Sequence, residues 1–406
     1  MKRRRALEGV KIADFGWVVT GPAAAKFGAN LGAEVIRIES NTRPDILRFA
    51  PPAKDGELGM NRSAMFTLYN DSKLGITLNM RMTRAREVAR RMIYNWADVI
   101  VDGLVPGVMK SWGLDYETLK KEKPELIHIA TTMQGQTGPY SRMPGHGQVG
   151  AQLAGFSHVT GWPDREPAIP LQAYTDFVTF PHVVTALIAA LIYRDRTGRG
   201  QYIDVSQFES SLQFLAPPIM DYMINGRVMM RMGNRSTHAA PHAVYRCLGE
   251  DRWCAIAVFT DEEWENFSKV IGNPGWTRDP RFATFRGRKE NEGELNALVE
   301  EWTVNHSAEE VMGCMQGAGV PAGVAASGQD LVADPQLNHR GTHVILEHPE
   351  IGPHIYQPPP YQLSRTPAEL LMPAPCIGQH NEYILKDVLG MSDEEVADLI
   401  AAGGLE

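Results

Sequence analysis

Asp176 is a lone acid in Y-T-D-F, just ahead of an apolar run from Pro181 to Tyr193 and a T-G-R-G-Q turn that leads into a strand-like segment. That order of parts can present one carboxylate at the mouth of a parallel sheet, where open α/β proteins bind ligands and do their chemistry. The mundane alternative is a loop acid that satisfies free N–H groups near a helix start.

The elements that must position this acid can be read from the flanking residues. Pro181 suits a first helical turn, and Val183, Val184, Leu187, Ile188, Leu191 and Ile192 recur at helical spacing on a face wide enough to bury. A core helix is therefore expected from near residue 181, with Asp176 outside it in the preceding loop. Arg194 and Arg196 complement its C-terminal dipole, and Gly198 and Gly200 offer the left-handed residue that ends it. Ile203 and Val205 then alternate with Tyr202, Asp204 and Ser206, the pattern of a strand with one buried face.

Upstream, Val10 to Phe15 reads as a buried strand, Pro22 to Leu31 as a small-residue helix and Ala33 to Glu39 as a second strand, which makes a βαβ unit and a parallel sheet. Ile76 to Leu78, a helix around Val88, Met92, Ile93 and Trp96, Asp98 to Val101, and Ile127 to Thr131 continue the alternation of a doubly wound domain. The first turn carries Gly16 and Gly21 without G-x-G-x-x-G. Glu39, at the end of the second strand, sits where a ribose-binding acid would stand in a dinucleotide enzyme, yet it reads more simply as an ordinary strand-end acid. The fold class is thus α/β, a Rossmann-like parallel-sheet large domain joined to a smaller α+β domain. The boundaries read as a large domain over 1–219, a Met-rich linker over 220–235, a small domain over 236–335, and a C-terminal segment over 336–406 that returns to the large domain. In the small domain, strands are expected at Ala243 to Cys247 and Trp253 to Val258, and capping boxes at Thr260/Glu263 and Ser307/Glu310 start helices; a third at Ser392/Glu395 marks a helix near the end.

Composition bounds the function. The 406-residue chain has a net charge of −8, which argues against a general nucleic-acid binder because phosphate neutralisation needs a basic surface. Its four cysteines, Cys247, Cys254, Cys314 and Cys376, form no C-x-x-C pair, so neither a zinc site nor a disulfide framework is expected. The basic start, Met1 to Arg5, is not followed by the apolar core of a signal peptide, and Val183 to Tyr193 is shorter than the roughly 20 residues that span a bilayer. A cytoplasmic protein with no membrane partner is the expectation.

With the parts placed, the chain resembles the family III CoA-transferases, the group that includes formyl-CoA and carnitine CoA-transferases. The resemblance spans nearly the whole length and rests on L-E-G-V-K-I-A-D-F from Leu7, L-G-A-E-V-I-R-I-E from Leu31, G-Q-T-G-P-Y from Gly135, D-F at Asp176, R-T-G-R-G-Q from Arg196, G-V-P-A-G-V from Gly319 and I-G-Q-H-N-E from Ile377. It implies a coenzyme A substrate, no metal, an interlocked homodimer or a heteromer with a homologous subunit, and Asp176 as the nucleophile. An Asp suits that task, because a carboxylate trapped by an acyl group gives a mixed anhydride that keeps the transfer potential a hydroxyl would discard as an ester. The same resemblance sets Val18, Thr20, Ser40, Lys73, Leu104 and Lys110 at or next to the family's CoA-binding positions, with Arg142 as a further cation for phosphate.

Departures from the family pattern shape the expected specificity. Val19 stands where formyl-CoA-transferase-like members have Gln, Gly147 stands where they have an acid, and G-L-V-P-G from Gly103 replaces N-F-R-P-G. The acyl pocket is therefore expected to be more apolar than one built for oxalate or formate. The Y-T-D-F segment and the H-G after Gly145 look most like members acting on longer or aromatic dicarboxylic acids, such as succinyl-CoA:benzylsuccinate CoA-transferase subunits. Two other readings compete. The α-methylacyl-CoA racemases of the same fold pair a His in G-H-D with an Asp, and His146 in G-H-G stands at the matching spacing before Asp176; alternatively, the chain is a non-catalytic CoA-binding subunit of a heteromeric transferase.

Overall fold

A computed structural model describes residues 5–170 and 173–406; the basic start up to residue 4 lies outside the described residues. The chain divides into two compact units, one formed by Met1–Phe156, Ile169–Arg227 and Gln336–Glu406, the other by Ser157–Ala168 and Val228–Pro335.

In the first unit, β1 (Lys11–Phe15), β2 (Glu34–Glu39), β3 (Leu74–Thr77), β4 (Val99–Asp102), β5 (Ile127–Thr132) and β6 (Tyr202–Ser206) form one six-stranded sheet. Its order is β3-β2-β1-β4-β5-β6, every pair parallel. Parallel strands need crossovers, and helices α1 (Thr20–Asn30) and α2 (Thr83–Asn95) supply two of them on opposite faces. On one face Ala24, Ala25 and Ala29 of α1 let the helix approach Ile12, Val99, Val101, Ile127 and Ile129 closely; on the other, Val88, Ala89, Met92 and Ile93 of α2 pack on Ala13, Ile36, Ile76 and Ile100.

Beyond β5 the chain makes the short helix α3 (Gly147–Leu153), the long α4 (Tyr174–Thr197) and, after β6, α5 (Gln207–Leu212) and α6 (Ala216–Asn225). The expected start of α4 is corrected: it begins at Tyr174 and continues through Pro181, so Asp176 lies in its first turn and not in a loop ahead of it. Pro181 removes one backbone bond, but Thr175, Asp176 and Thr179 before it and Val183, Leu187, Ala190 and Leu191 after it are all buried, and packing on both sides outweighs the lost donor. At 24 residues α4 is also longer than the sequence suggested, and it is the one helix among the described residues long and apolar enough to cross a membrane by length and composition. Its Val183, Leu187, Ala190 and Leu191 pack with Ile12, Val99 and Ile127 in the core above the sheet.

None of the ten residues of α6 is buried, and Met220, Tyr222, Met223 and Ile224 are exposed. The segment after Gln336 adds an antiparallel pair, β10 (Val344–His348) and β11 (Gly352–Tyr356), and a last helix over Asp393–Ala401 opened by the Ser392/Glu395 capping box. Strand β3 is tied to this segment, since His380 Nδ1 accepts from Gly75 N–H and Asn381 Oδ1 from Thr77 N–H. The second unit has an antiparallel sheet of β7 (His242–Arg246), β8 (Trp253–Ala257) and β9 (Ala322–Val324), with the Thr260/Glu263 and Ser307/Glu310 boxes starting helices whose Trp264, Phe267, Val311 and Met315 fill its core.

Candidate active site

The order of the sheet reverses between β1 and β4, and the crevice outside their carboxyl ends is where such a fold binds ligands. β1 leads into this crevice through Gly16 to Val19. Val18 there has φ 63°, a left-handed conformation that strains a β-branched residue by roughly 1–3 kcal/mol. The turn is over-determined from below. Val18 N–H donates to Asp45 Oδ2 at 3.0 Å, and Arg37 Nη2 donates to the same oxygen at 2.6 Å.

Asp45 belongs to a buried ionic cluster under the β1 turn. Lys73 Nζ lies 2.8 Å from Asp14 Oδ2, Arg37 Nη1 3.3 Å from Asp14 Oδ1, and Arg48 Nη2 2.6 Å from Glu39 Oε2. All six groups are at most 7% exposed. Burial alone would raise the Asp14 and Glu39 carboxyls; Lys73 and Arg37 hold Asp14 low, and Arg48 does the same for Glu39. Burial brings the Lys73 ammonium down to about 8 against the pull of Asp14. Glu39 is thus committed to Arg48 through two hydrogen bonds, of 2.9 and 2.6 Å, which is why it is no ribose acceptor.

Asp176 lies above this turn, 4% exposed. Thr20 Oγ1, at the start of α1, lies 3.5 Å from Asp176 Oδ1 as donor, and Gln207 Nε2, at the start of α5, donates to Thr20 Oγ1 at 2.9 Å. The Gly147 backbone faces the carboxylate, and the Gln207 amide, bonded to Thr20, favours its charged form. Burial nevertheless prevails and pushes the Asp176 carboxyl up to about 6, with the Gln207, Thr20 and Gly147 donors acting the other way. A desolvated, oriented carboxylate that is still mostly ionised at neutral pH is what a carboxylate nucleophile requires. Gly147 has a steric reason for its identity: a Cβ built there would lie 2.7 Å from both Cγ and Oδ2 of Asp176 and 2.8 Å from Ala173 Cβ.

On the face of α4 that carries Phe177, a cavity of about 750 Å³ is walled by Phe27, Tyr69, Phe177 and Phe180 and also lined by Lys26 and Arg340. Lys26 is neutralised by Asp71 at 2.9 Å, whereas Arg340 is exposed. Burial, and then the negative charge of Asp176, raise the Tyr69 phenol far above its usual range, so it stays neutral.

The residues singled out in the sequence fall into three groups. Thr20 and Gly147 meet Asp176, and Val18 and Val19 form the turn just before Thr20, with Val19 buried among Ala23, Leu47, Phe66 and Tyr69. Leu104 and Lys110 line a second cavity, of about 200 Å³, on the loop after β4, and the Arg142 guanidinium lies beside Gly107 of the same loop. Ser40 and Lys73 join neither group. Ser40 Oγ donates to Glu406 at 2.7 Å, and Lys73 is fully buried with its ammonium on Asp14, the Pro22 carbonyl and Asn70, so it is an internal ion-pair partner and not a surface cation. His146 caps the start of α3 from an exposed position, and no hydrogen bond joins it to Asp176 among the described residues. Two residues near the carboxylate went unread in the sequence, Gln207 and Tyr69. The signal for Gln207 was its place directly after β6, at the carboxyl edge of the sheet; Tyr69 has no local signal. No group of three or more metal-binding side chains converges among the described residues.

The sheet and the carboxylate at its switch point define a ligand-binding α/β protein of the doubly wound kind, and the sequence profile of CoA-transferase family III matches residues 7–381. The chain belongs to CoA-transferase family III and is a CoA-transferase. It is similar to the succinyl-CoA–D-citramalate CoA-transferase of Chloroflexus aurantiacus, 30% identical over 98% of this chain and 97% of the relative. It is equally similar, at 30% identity over 95% and 96%, to the succinate–glutarate CoA-transferase of Agrobacterium fabrum. Among solved structures, a CaiB/BaiF family protein from Brucella suis superposes with a TM-score of 0.87 at 31% identity, covering 95% of this chain and all of that one.

Proposed function

We propose that this protein moves CoA from succinyl-CoA to a dicarboxylic acid with an apolar or aromatic body, through covalent intermediates on Asp176. The observation that carries the proposal is Asp176 itself, a carboxylate buried at the switch point of the sheet and oriented by Thr20, which Gln207 holds in turn, and by the Gly147 backbone. Asp176 attacks the thioester carbonyl and expels CoA thiolate, leaving a mixed anhydride. The thiolate then attacks Cγ of Asp176 and releases the donor acid, which leaves an aspartyl-CoA thioester. The acceptor carboxylate opens that thioester, again freeing thiolate, and the thiolate takes the acceptor's acyl group and restores Asp176. In the steps at Cγ the oxyanion forms on the oxygens that these donors already address, so their stabilisation is in place beforehand.

Both curated relatives have names that pair succinyl-CoA or succinate with a dicarboxylic acid. The aromatic wall that includes Phe177, next in sequence to Asp176, and Arg340, a lining cation with no carboxylate partner among the described residues, suit an acceptor with an apolar middle and a second carboxylate. Lys110 and Arg142 are the exposed cations we assign to CoA phosphate. The unburied apolar helix α6 supports assembly with a second copy or a homologous subunit.

Racemisation is disfavoured because the relatives are named as CoA-transferases and His146, the candidate second acid–base group, stands exposed before α3. The test is to incubate the purified chain with succinyl-CoA and then hydroxylamine or borohydride. Modification confined to Asp176, with succinate released and an added acid converted to its CoA thioester, is expected. Exchange of the α-proton of an acyl-CoA with deuterium, without thioester formation on any acid, would instead assign racemisation. Inactivity of the chain alone, relieved by a homologous subunit, would assign the supporting role.

A further inference from the structure

Gln207 is 9% exposed, yet only one end of its amide is used: Nε2 bonds Thr20 Oγ1 and Oε1 has no hydrogen-bond partner. A buried amide kept for stability would satisfy both ends, because an unmet acceptor opposes folding. What the donor end does is different. Thr20 Oγ1 accepts from Gln207, so its single proton is directed away from Gln207 and onto Asp176 Oδ1. The opposite oxygen, Oδ2, faces Gly147.

We infer that Gln207 is a positioning residue for the Asp176 nucleophile, fixing the direction of the Thr20 proton and so the orientation and charge state of the attacking carboxylate. The inference rests on Asp176 being the nucleophile. It also accounts for Val19, which is buried in an apolar cluster on the α1 side and offers no polar atom: the amide that addresses the carboxylate comes from the β6 side instead. Two donors in series, the second ordered by the first, behave as a unit in which removing either breaks the same contact.

The other titratable groups on the elements packed around Asp176 are already committed or distant. Lys26 of α1 is held by Asp71, His128 of β5 by Asp102 at 2.7 Å, and Asp204 of β6 by the Gln136 N–H. Glu209 of α5 and His146 before α3 are exposed, and Tyr69 stays neutral. Gln207 and Thr20 are therefore the side chains able to move the titration of Asp176.

The experiment is an isotope-edited infrared titration of the Asp176 carboxyl in the full-length protein, free of substrate, with Asp176→Asn as the blank. Gln207→Leu is expected to raise the midpoint by about one pH unit, Thr20→Val by a similar amount, and the double variant by no more than the larger single shift. Gln207→Leu, which removes the unmet acceptor as well as the donor, is expected to leave thermal stability unchanged or higher. In parallel, the acid limb of succinyl-CoA-dependent trapping should move with the infrared midpoint. An unchanged midpoint in Gln207→Leu, or additive shifts in the double variant, would overturn the inference while Asp176 trapping persists. Absence of trapping in the unsubstituted protein would overturn the nucleophile reading and the inference together.

Discussion

Gly147 and Asp176 occupy one space: the position a Cβ of residue 147 would take lies 2.7 Å from the Asp176 carboxyl carbon. The missing side chain is what lets a backbone N–H reach the carboxylate. An acid at this position cannot be accommodated here without moving Asp176 or the start of α3.

Gly147→Ala should therefore behave as an overpacking change at the reacting centre. Stability is expected to fall by about 1–3 kcal/mol, and kcat by at least about tenfold, because the carboxylate is displaced and loses one donor. Denaturant unfolding together with steady-state kinetics checks this. Gly147→Asp should be more severe, since a second carboxylate would repel the first.

Asp176 is held at a disadvantage to folding. Its carboxyl titrates near 6 in the folded protein against an ordinary value of 3.8, so folding favours the protonated form. The associated stability is fully present below pH 3.8 and is lost as pH rises through about 6. Asp176→Asn is accordingly expected to abolish transfer and yet stabilise the protein at pH 7 by up to about 3 kcal/mol, a gain that shrinks toward zero near pH 4. Melting curves of both proteins across that range test the sign. The kcat/KM of the unsubstituted enzyme should fall below about pH 6 for the same reason.

The two lysines assigned to CoA by resemblance should separate cleanly. Lys73→Met removes one partner of a buried cluster and leaves Asp14 with Arg37 alone, which is expected to destabilise the fold by about 3–5 kcal/mol. Lys110→Ala, at an exposed position of the short helix Val108–Trp112, should leave the melting temperature alone and raise KM for acyl-CoA, more so at low salt. Thermal unfolding and kinetics at two ionic strengths distinguish the two outcomes.

The difference between these lysines also shows what the sequence could reveal. Period-2 and helical patterns located all six strands of the parallel sheet to within a residue or two, because burial on both faces leaves apolar runs, unbroken in Val99 to Val101 and interrupted only singly in β1 and β5, by Asp14 and His128. The Thr260, Ser307 and Ser392 caps were legible because their chemistry is local. Asp176 stood out in the sequence as a candidate acid, but its place in the first turn of α4 did not, since Pro181 reads as a start and only tertiary packing carries the helix through it. The Lys73–Asp14 pair, the Gln207–Thr20 link and the β10–β11 hairpin pairing depend on long-range contacts or weak patterns that no short window carries.

The commitment of Glu39 to Arg48 also limits what evolution or a designer can do with this sheet. In a nicotinamide enzyme the acid at the end of the second strand must be free to face a sugar; here its two oxygens are already claimed from behind. Converting this scaffold to hydride transfer would require dismantling part of its foundation before any new loop was built, because the Glu39–Arg48 pair belongs to the buried cluster beneath the β1 turn.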